Sequence, residues 1–319
     1  MPIPLACWAD AYTGHYLSAP RSAMHEWLVL ELGGLSARRG RKYAIIAPRG
    51  SAKTTWISKI YPLYCVAHNL ERYIVLISNT TAQAERNLAA IRDEIESNAL
   101  LQRDYPAVAG HGPVWRRECL ETRNGVYLEA LGMGSKLRGR TYGPSRPTLI
   151  VIDDVENEDG AESEMQRDKA FDWLLSTVVP AGTPSTNIFV LGTALHRRDM
   201  LQKLRQTPGW QSRRFPSLAS EPIRGDLWQR WKALFRDFEN PEHETVARHF
   251  YDRHRGEMNE GAALLWPEHE DLYELMTLRE TIGEAAFQAE KHGIPADART
   301  CECPEECLGP GVLFDVWPT

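Results

Sequence analysis

The sequence predicts an α/β fold with a mostly parallel central sheet flanked by helices. Two observations predict it: short apolar runs rich in β-branched residues recur along the chain, and segments with helical periodicity separate them. Runs that are apolar throughout are typical of parallel strands buried on both faces. They lie at residues 42–47, 72–78, 125–132, 147–154 and 186–193.

Helices are predicted between these strands. The clearest spans 82–97, and residues 22–34 predict another, with a stripe of Ala23, Trp27, Leu30 and nearby Leu28. The segment 54–70 also has a helical pattern, which Pro62 is expected to kink or interrupt.

The pattern of apolar residues changes after about residue 220. Apolar residues at helical spacing, Leu227, Trp231, Leu234 and Phe238, predict packing helices and not a ligand site. We interpret 221–262 as a small helical lid subdomain within one domain of residues 1–300, with 301–319 as a linker.

Composition excludes several classes of protein. The 319-residue chain is 43% hydrophobic and has a formal net charge of −6, so it is not a basic protein overall. No apolar run approaches the ~20 residues of a membrane span, and the N-terminus lacks a secretion signal, so a cytosolic location is expected. Local basic clusters do occur, and we expect most to be solvated surface. They lie at 38–42, 116–117, 136–140, 197–198 and 213–214.

The first candidate site is the loop "APRGSAKTT" that follows the first strand. The common phosphate-binding pattern is G-x-x-x-x-G-K-[ST], and here alanine stands at both glycine positions, Ala47 and Ala52. Lys53 is predicted to reach the β- and γ-phosphates of ATP, and Thr54 to ligate Mg²⁺. Alanine can replace glycine if the position keeps negative φ, because only a left-handed residue strictly needs glycine. The backbone of the nucleotide-binding residues would face the phosphates: Pro48, Arg49, Gly50, Ser51, Ala52, Lys53, Thr54 and Thr55.

Paired carboxylates form the second candidate. Asp153 and Asp154 end the run at 147–154, where one acid can hold Mg²⁺ from a neighbouring strand and the next can activate water. Asp153 is therefore a predicted metal ligand and Asp154 the catalytic base, with Glu156 as the fallback base. Thr193, at the tip of the next strand, is a candidate sensor of the γ-phosphate. The order of these features predicts a P-loop NTPase of the RecA-like type: the loop lies between a predicted strand and a predicted helix, and the paired acids end a later strand.

These motifs resemble those of the large terminase subunits that package DNA into tailed-bacteriophage capsids. Similar stretches are "PRGSAKTT", "GSKLRGRTYGPSRPTLIVIDDVEN", "LGTALHRRDML" and the closing segment from Ala263 to Pro295. The resemblance covers nearly the whole chain.

The resemblance implies a magnesium-dependent, ATP-hydrolysing motor that translocates double-stranded DNA in the host bacterial cytoplasm. Its implied partners are a portal protein, a small terminase subunit and copies of itself in a ring, five being usual. It also implies that Arg49 faces its own subunit's phosphates. Arg138, or else Arg140, would act in trans on the next subunit's γ-phosphate, and His25 would contact adenine.

One departure concerns the nuclease domain that large terminases normally carry. No such domain follows here, and Asp315 lacks partner carboxylate strands, so no nuclease activity is expected from this chain. Two other functions stay open: a helicase-type DNA-dependent ATPase, and a degenerate P-loop protein that binds DNA or assembles capsids without catalysis. Cys301, Cys303 and Cys307 could join His292 on zinc, although their spacing fits no pair of Cys-x-x-Cys knuckles.

Overall fold

A seven-stranded sheet forms the centre of the computed structural model, which describes residues 2–35, 37–154, 164–194 and 196–295. Its strands are β1 (Lys42–Ile46), β2 (Tyr73–Ser78), β3 (Cys119–Glu121), β4 (Tyr127–Gly132), β5 (Leu149–Asp153), β6 (Asn187–Gly192) and β7 (Gln211–Arg214). The strand order is β3-β4-β2-β5-β6-β1-β7. Only β3 pairs antiparallel within this sheet, and every other pairing is parallel. The predicted mostly parallel α/β fold is confirmed.

Helices cover both faces of the sheet. On one face lie α1 (Leu5–Thr13), α2 (Ala23–Gly33), α3 (Tyr61–Ala67), α4 (Thr81–Ser97) and α5 (Ala99–Asp104). On the other lie α6 (Glu164–Trp173), α7 (Val179–Ala181) and α8 (Met200–Leu204). Alternate residues of β1 join the two cores: Tyr43 and Ile45 pack on the first, Ala44 and Ile46 on the second.

The buried face of α2 agrees with the predicted one only in part. Leu28 is buried as predicted, but Leu30 is 74% exposed, and Met24 and Leu32 join Leu28 at i, i+4 and i+8. Apolar residues occur on more than one side of this helix, and tertiary packing decides which of them are buried. Here Met24, Leu28 and Leu32 join the core beneath β1.

The helix after the candidate loop is irregular just before Pro62, as the proline predicted. Helical geometry begins at Lys53, passes through a π-helical segment, Thr55–Ile60, and continues as α3. The carbonyl that the ring of Pro62 would crowd in a regular helix, that of Ser58, lies in this segment. The segment also adjoins the loop, and π-helical turns are frequent at functional sites.

A third core lies outside the sheet. It joins α9 (Gly225–Phe235), α10 (His243–Asn259), α11 (Leu272–Ile282) and α12 (Glu284–His292), which we call the helical cluster. Beside it, β8 (Leu218–Ser220) pairs with β9 (Ala263–Leu264).

The helical cluster contains the two helices predicted in 221–262, and α11 and α12 complete its core. Leu227 and Trp231 are buried as expected, but Phe238 is 80% exposed because α9 ends at Phe235. No helix in the described parts of the chain is long and apolar enough to cross a membrane. The predicted linker 301–319 lies outside the described residues.

Candidate active site

The loop Pro48–Ala52 connects β1 to the helical turn that begins at Lys53. The carboxyl ends of the parallel strands meet at this edge of the sheet, where α/β proteins commonly bind ligands. Ser51 closes the loop, because its hydroxyl donates to the carbonyl of Pro48 at 2.7 Å.

His25 supports the loop from below. The backbone N–H of Ser22 donates to Nδ1 of His25 at 3.0 Å, so Nε2 carries the proton and donates to the carbonyl of Ser51 at 2.8 Å. Burial lowers the pKa of His25, which keeps the ring neutral. The residue is 2% exposed and both ring nitrogens are occupied, so this conformation gives His25 a structural contact with the loop.

The backbone at Ala52 does not meet the condition under which alanine replaces glycine without strain. Ala52 has φ of 56°, and Gly50 has φ of 79°. The left-handed region costs an alanine about 1–2 kcal/mol, because Cβ approaches the following carbonyl oxygen. The loop therefore keeps a left-handed bend where the common motif has glycine, and it does so under strain.

Lys53 lies among the polar groups of two other strand ends. Its Nζ is 3.4 Å from Oγ1 of Thr193, which follows β6, and 3.8 Å from Oδ2 of Asp154, which follows β5. Thr193 also donates to the carbonyl of Ala47 at 3.2 Å, tying the end of β6 to the start of the loop. Lys53 is 5% exposed, so its charge is held inside the site.

Asp153 is buried beside this lysine. Its Oδ1 accepts from the hydroxyl of Thr54 at 3.1 Å, and its Oδ2 accepts from Ser58 at 2.9 Å. Desolvation, and secondly the charge of Asp154, raise the pKa of Asp153 to about 6, although both hydroxyls and Lys53 favour the carboxylate. Because burial makes the charged form of Asp153 costly, a cation bound beside this carboxylate would be stabilised.

The strand order corrects one detail of the sequence interpretation. The loop and Asp153 were expected on neighbouring strands, but β6 lies between β1 and β5. Thr193, at the end of β6, therefore stands between Lys53 and the acids. Ser58 was missed, although its i+4 spacing from Thr54 on one helix face could have indicated it.

Asp154 has an unusual backbone for its residue type. Its φ is 47°, and its N–H donates to the carbonyl of Leu191 at 3.0 Å. A Cβ on Gly192 would lie 3.1 Å from Oδ1 of Asp154, so the glycine leaves room for this carboxylate. Strained backbone of this kind clusters at functional sites.

The predicted arginines have partners elsewhere in the chain. Arg49 is half exposed and approaches Glu290 at 3.5 Å. Arg138 donates to the carbonyl of Ser176, and Arg140 pairs with Glu129. The loop of Arg138 and Arg140 follows β4, four strand spacings from β1, or about 19 Å. Glu156 lies outside the described residues.

The oxygen donors at Thr54 and Asp153 fit Mg²⁺. The ion prefers hard oxygen ligands, and it commonly takes one or two protein groups and completes its shell with water and substrate phosphates. Within the described ranges, no three His, Cys, Asp or Glu side chains cluster as a metal site of their own. The cysteines suggested for zinc lie outside those ranges.

No family model matches the sequence, and no curated protein matches it. The structure is similar to the large terminase ATPase domain of Thermus phage P74-26, with a TM-score of 0.43 and 13% identity over 83% of this chain and 97% of that one. An arginine-to-alanine mutant of that domain gives a TM-score of 0.37 and 14% identity over 70% of this chain and 94% of that one. Both are ATPase domains of a large terminase, the family that the sequence motifs resemble.

Proposed function

We propose that this chain is an ATPase and, more specifically, the DNA-translocating motor domain of a phage large terminase. The observation that carries the ATPase proposal is the convergence of five side chains from three strand ends. Lys53 and Thr54 follow β1, Asp153 and Asp154 follow β5, and Thr193 follows β6, all joined by contacts of 3.1–3.8 Å.

Each side chain has a distinct task in this proposal. The ammonium group of Lys53 binds the β- and γ-phosphates, aided by backbone N–H groups at the start of the helix. Asp154 is partly exposed and orients the attacking water. The hydroxyl of Thr193 donates to the carbonyl of Ala47 in this structure, and in the proposal it turns to donate to the γ-phosphate and returns to Ala47 when that phosphate is lost. Thr54 and Asp153 would hold Mg²⁺, which would supply positive charge to neutralise the phosphates.

The motor half of the proposal draws on the sequence resemblance and on a basic surface. The segment after Thr193 leads to a hollow lined by basic and amide side chains, in which Arg198 pairs with Glu164 and Lys203 with Asp168. That lining consists of Arg197, Arg198, Gln202, Lys203, Arg205 and Gln206. Only three residues separate Thr193 from Arg197, so a shift of Thr193 on hydrolysis would move groups able to bind DNA phosphates. A portal protein, a small terminase subunit and a homo-oligomeric ring are the further partners we propose.

ATP turnover across a wide range of protein concentration, with Mg²⁺, tests the enzyme. We expect turnover per protomer to rise with concentration, because an arginine from the next subunit, Arg138 or Arg140, completes the site. Lys53→Ala should abolish turnover. Lys59→Ala is the matched control, since this lysine lies on the same helical run but contacts the ring of Tyr16.

The outcomes separate the alternatives. A rate independent of concentration contradicts the role in trans. Strand displacement on a forked duplex would favour a helicase-type ATPase. Binding of duplex DNA without any binding of Mg-ATP would favour the non-catalytic protein.

The basic surface is tested by a salt titration of duplex DNA binding. Each lost phosphate contact reduces the slope of log K against log salt by about 0.9. Arg198→Ala combined with Arg205→Ala should reduce the slope by about 2. The matched control is Arg253→Ala combined with Arg255→Ala on α10, two exposed arginines distant in sequence from the active-site strands. An unchanged slope in the first pair would exclude this surface.

A further inference from the structure

The sheet order sets the direction in which a nucleoside triphosphate lies. The proposed function places the γ-phosphate beside Thr193, Asp153 and Asp154, which belong to β6 and β5. The loop follows β1, whose other neighbour is β7. The base of the nucleotide must therefore extend toward the β7 side of the loop, since the γ-phosphate occupies the β6 side.

A pocket opens on that side of the loop. The chain leaves β7 through Phe215, whose N–H donates to the carbonyl of Ile46 at 2.9 Å. Ser217 follows and accepts from the N–H of Leu265 at 2.9 Å, which brings the segment 265–270 against the loop. The pocket lies between the loop and this segment, and its lining includes Gly50, Ser51, Ser217, Trp266, His269 and Lys291.

Two rings in this segment form a platform. Trp266 and His269 are stacked, with ring centroids 4.5 Å apart and planes 29° apart. Trp266 is fixed from behind, because its Nε1 donates to the carbonyl of Pro20 at 2.6 Å and its ring contacts the edge of His25 at 4.8 Å.

The imidazole of His269 provides the accessible surface of this platform. Trp266 covers one face of the ring, and His269 is exposed. Its Nε2 lies 3.7 Å from the position that a Cβ on Gly50 would take, so the ring stands directly beside the loop. His25, the base contact suggested by the sequence, is buried with both nitrogens bonded and cannot offer a face here.

We propose that the His269–Trp266 platform binds the base of the nucleoside triphosphate by stacking. This assignment rests on the proposed function, because it uses the phosphate position to orient the ligand. Stacking of a base on an aromatic side chain typically contributes roughly tenfold or more in affinity. The platform contributes nothing to an inorganic polyphosphate, which lacks a base.

The difference between two ligands tests the proposal. We would measure the affinities of Mg-ATP and Mg-tripolyphosphate for the full chain by calorimetry. In His269→Ala, the affinity for Mg-ATP should fall roughly tenfold while that for Mg-tripolyphosphate stays unchanged. His269→Phe should retain Mg-ATP binding because it restores a ring. His249→Ala, an exposed histidine on α10, is the control.

Each outcome has one meaning. Unchanged Mg-ATP affinity in His269→Ala, or an equal loss for both ligands, would overturn the platform and leave the phosphate site intact. Failure of the wild-type chain to bind either ligand would refute the proposed function and this inference with it.

Discussion

The carboxyl edge of the sheet carries strained backbone and a buried charge, and in this it differs from the helical cluster. Among the described residues, Ala52, Asn69 and Asp154 are the non-glycine residues with positive φ, and two of the three belong to the candidate active site. Asp153 adds a buried carboxylate to the same edge. These features destabilise the empty site and are consistent with selection for ligand binding.

The helical cluster follows local rules more closely. Helix α11 begins with a complete capping box, in which Asp271 and Glu274 bond each other's backbone N–H groups. Helix α12 ends at Gly293, a glycine in the left-handed conformation. From this comparison we expect substitutions in the helical cluster to lower the free energy of unfolding, and conservative substitutions at the active site to raise it.

The largest expected effect is in the core of the cluster. Trp231 is 1% exposed and contacts the rings of Trp228, Phe235 and Tyr273. Trp231→Ala should lower the free energy of unfolding by about 3–5 kcal/mol, because it removes this packing and leaves a cavity. Urea denaturation followed by circular dichroism measures it. Phe238→Ala, at an 80% exposed position, should change it by less than about 0.5 kcal/mol.

The next largest expected effect is an increase in the free energy of unfolding, caused by a substitution at the active site. Burial raises the pKa of Asp153 from 3.8 to about 6, so ionising this group at neutral pH costs folding free energy. Asp153→Asn should raise the free energy of unfolding at pH 7 by about 1–3 kcal/mol, and it should abolish ATP turnover.

The pH dependence supplies a sharper test. A raised pKa means that the contribution of Asp153 is fully present below pH 3.8 and is lost as the pH rises through about 6. The advantage of Asp153→Asn should therefore shrink as the pH falls from about 7 toward about 4. Asp93→Asn, at an exposed position of α4, is the control and should show no such trend. A pH-independent advantage would contradict the assigned cause.

A matched pair of helix caps compares the two regions directly. Ser22 caps α2 and Asp271 caps α11, each with a capping box. Ser22→Ala and Asp271→Ala should each cost about 1 kcal/mol of stability. Ser22→Ala should also weaken Mg-ATP binding, by a few-fold, because it loosens His25 beneath Ser51. Unchanged Mg-ATP affinity in Ser22→Ala would show that His25 does not support the loop.

The sequence predicted the active-site residues that lie just after the ends of strands. Lys53, Asp153, Asp154 and Thr193 each follow an apolar run, and parallel strands bring their carboxyl ends to one edge, so their convergence follows from the fold class. The five predicted strands all exist within a few residues of their expected bounds.

The remaining features depend on packing that no local pattern encodes. Strand β7, Gln211–Arg214, has exposed polar residues throughout, and only its backbone pairing with β1 makes it a strand. The partner of His25 lies 26 residues away, and the His269–Trp266 platform depends on contacts with Pro20 and Gly50. The positive φ of Ala52 could not be read from the sequence, because alanine ordinarily keeps negative φ and the fold imposes the left-handed bend.

The smallest predicted effect addresses that bend. Ala52→Gly should relieve a strain of about 1–2 kcal/mol, but the added freedom of glycine in the unfolded chain removes about 0.4–1 kcal/mol of the gain. The free energy of unfolding should therefore rise by about 0.5 kcal/mol, with Mg-ATP binding retained. Ala90→Gly, in the regular helix α4, should instead cost about 0.5–1 kcal/mol. The test depends on these opposite signs. A lower free energy of unfolding in both variants would mean that Ala52 is relaxed and that the active site carries less strain than its backbone indicates.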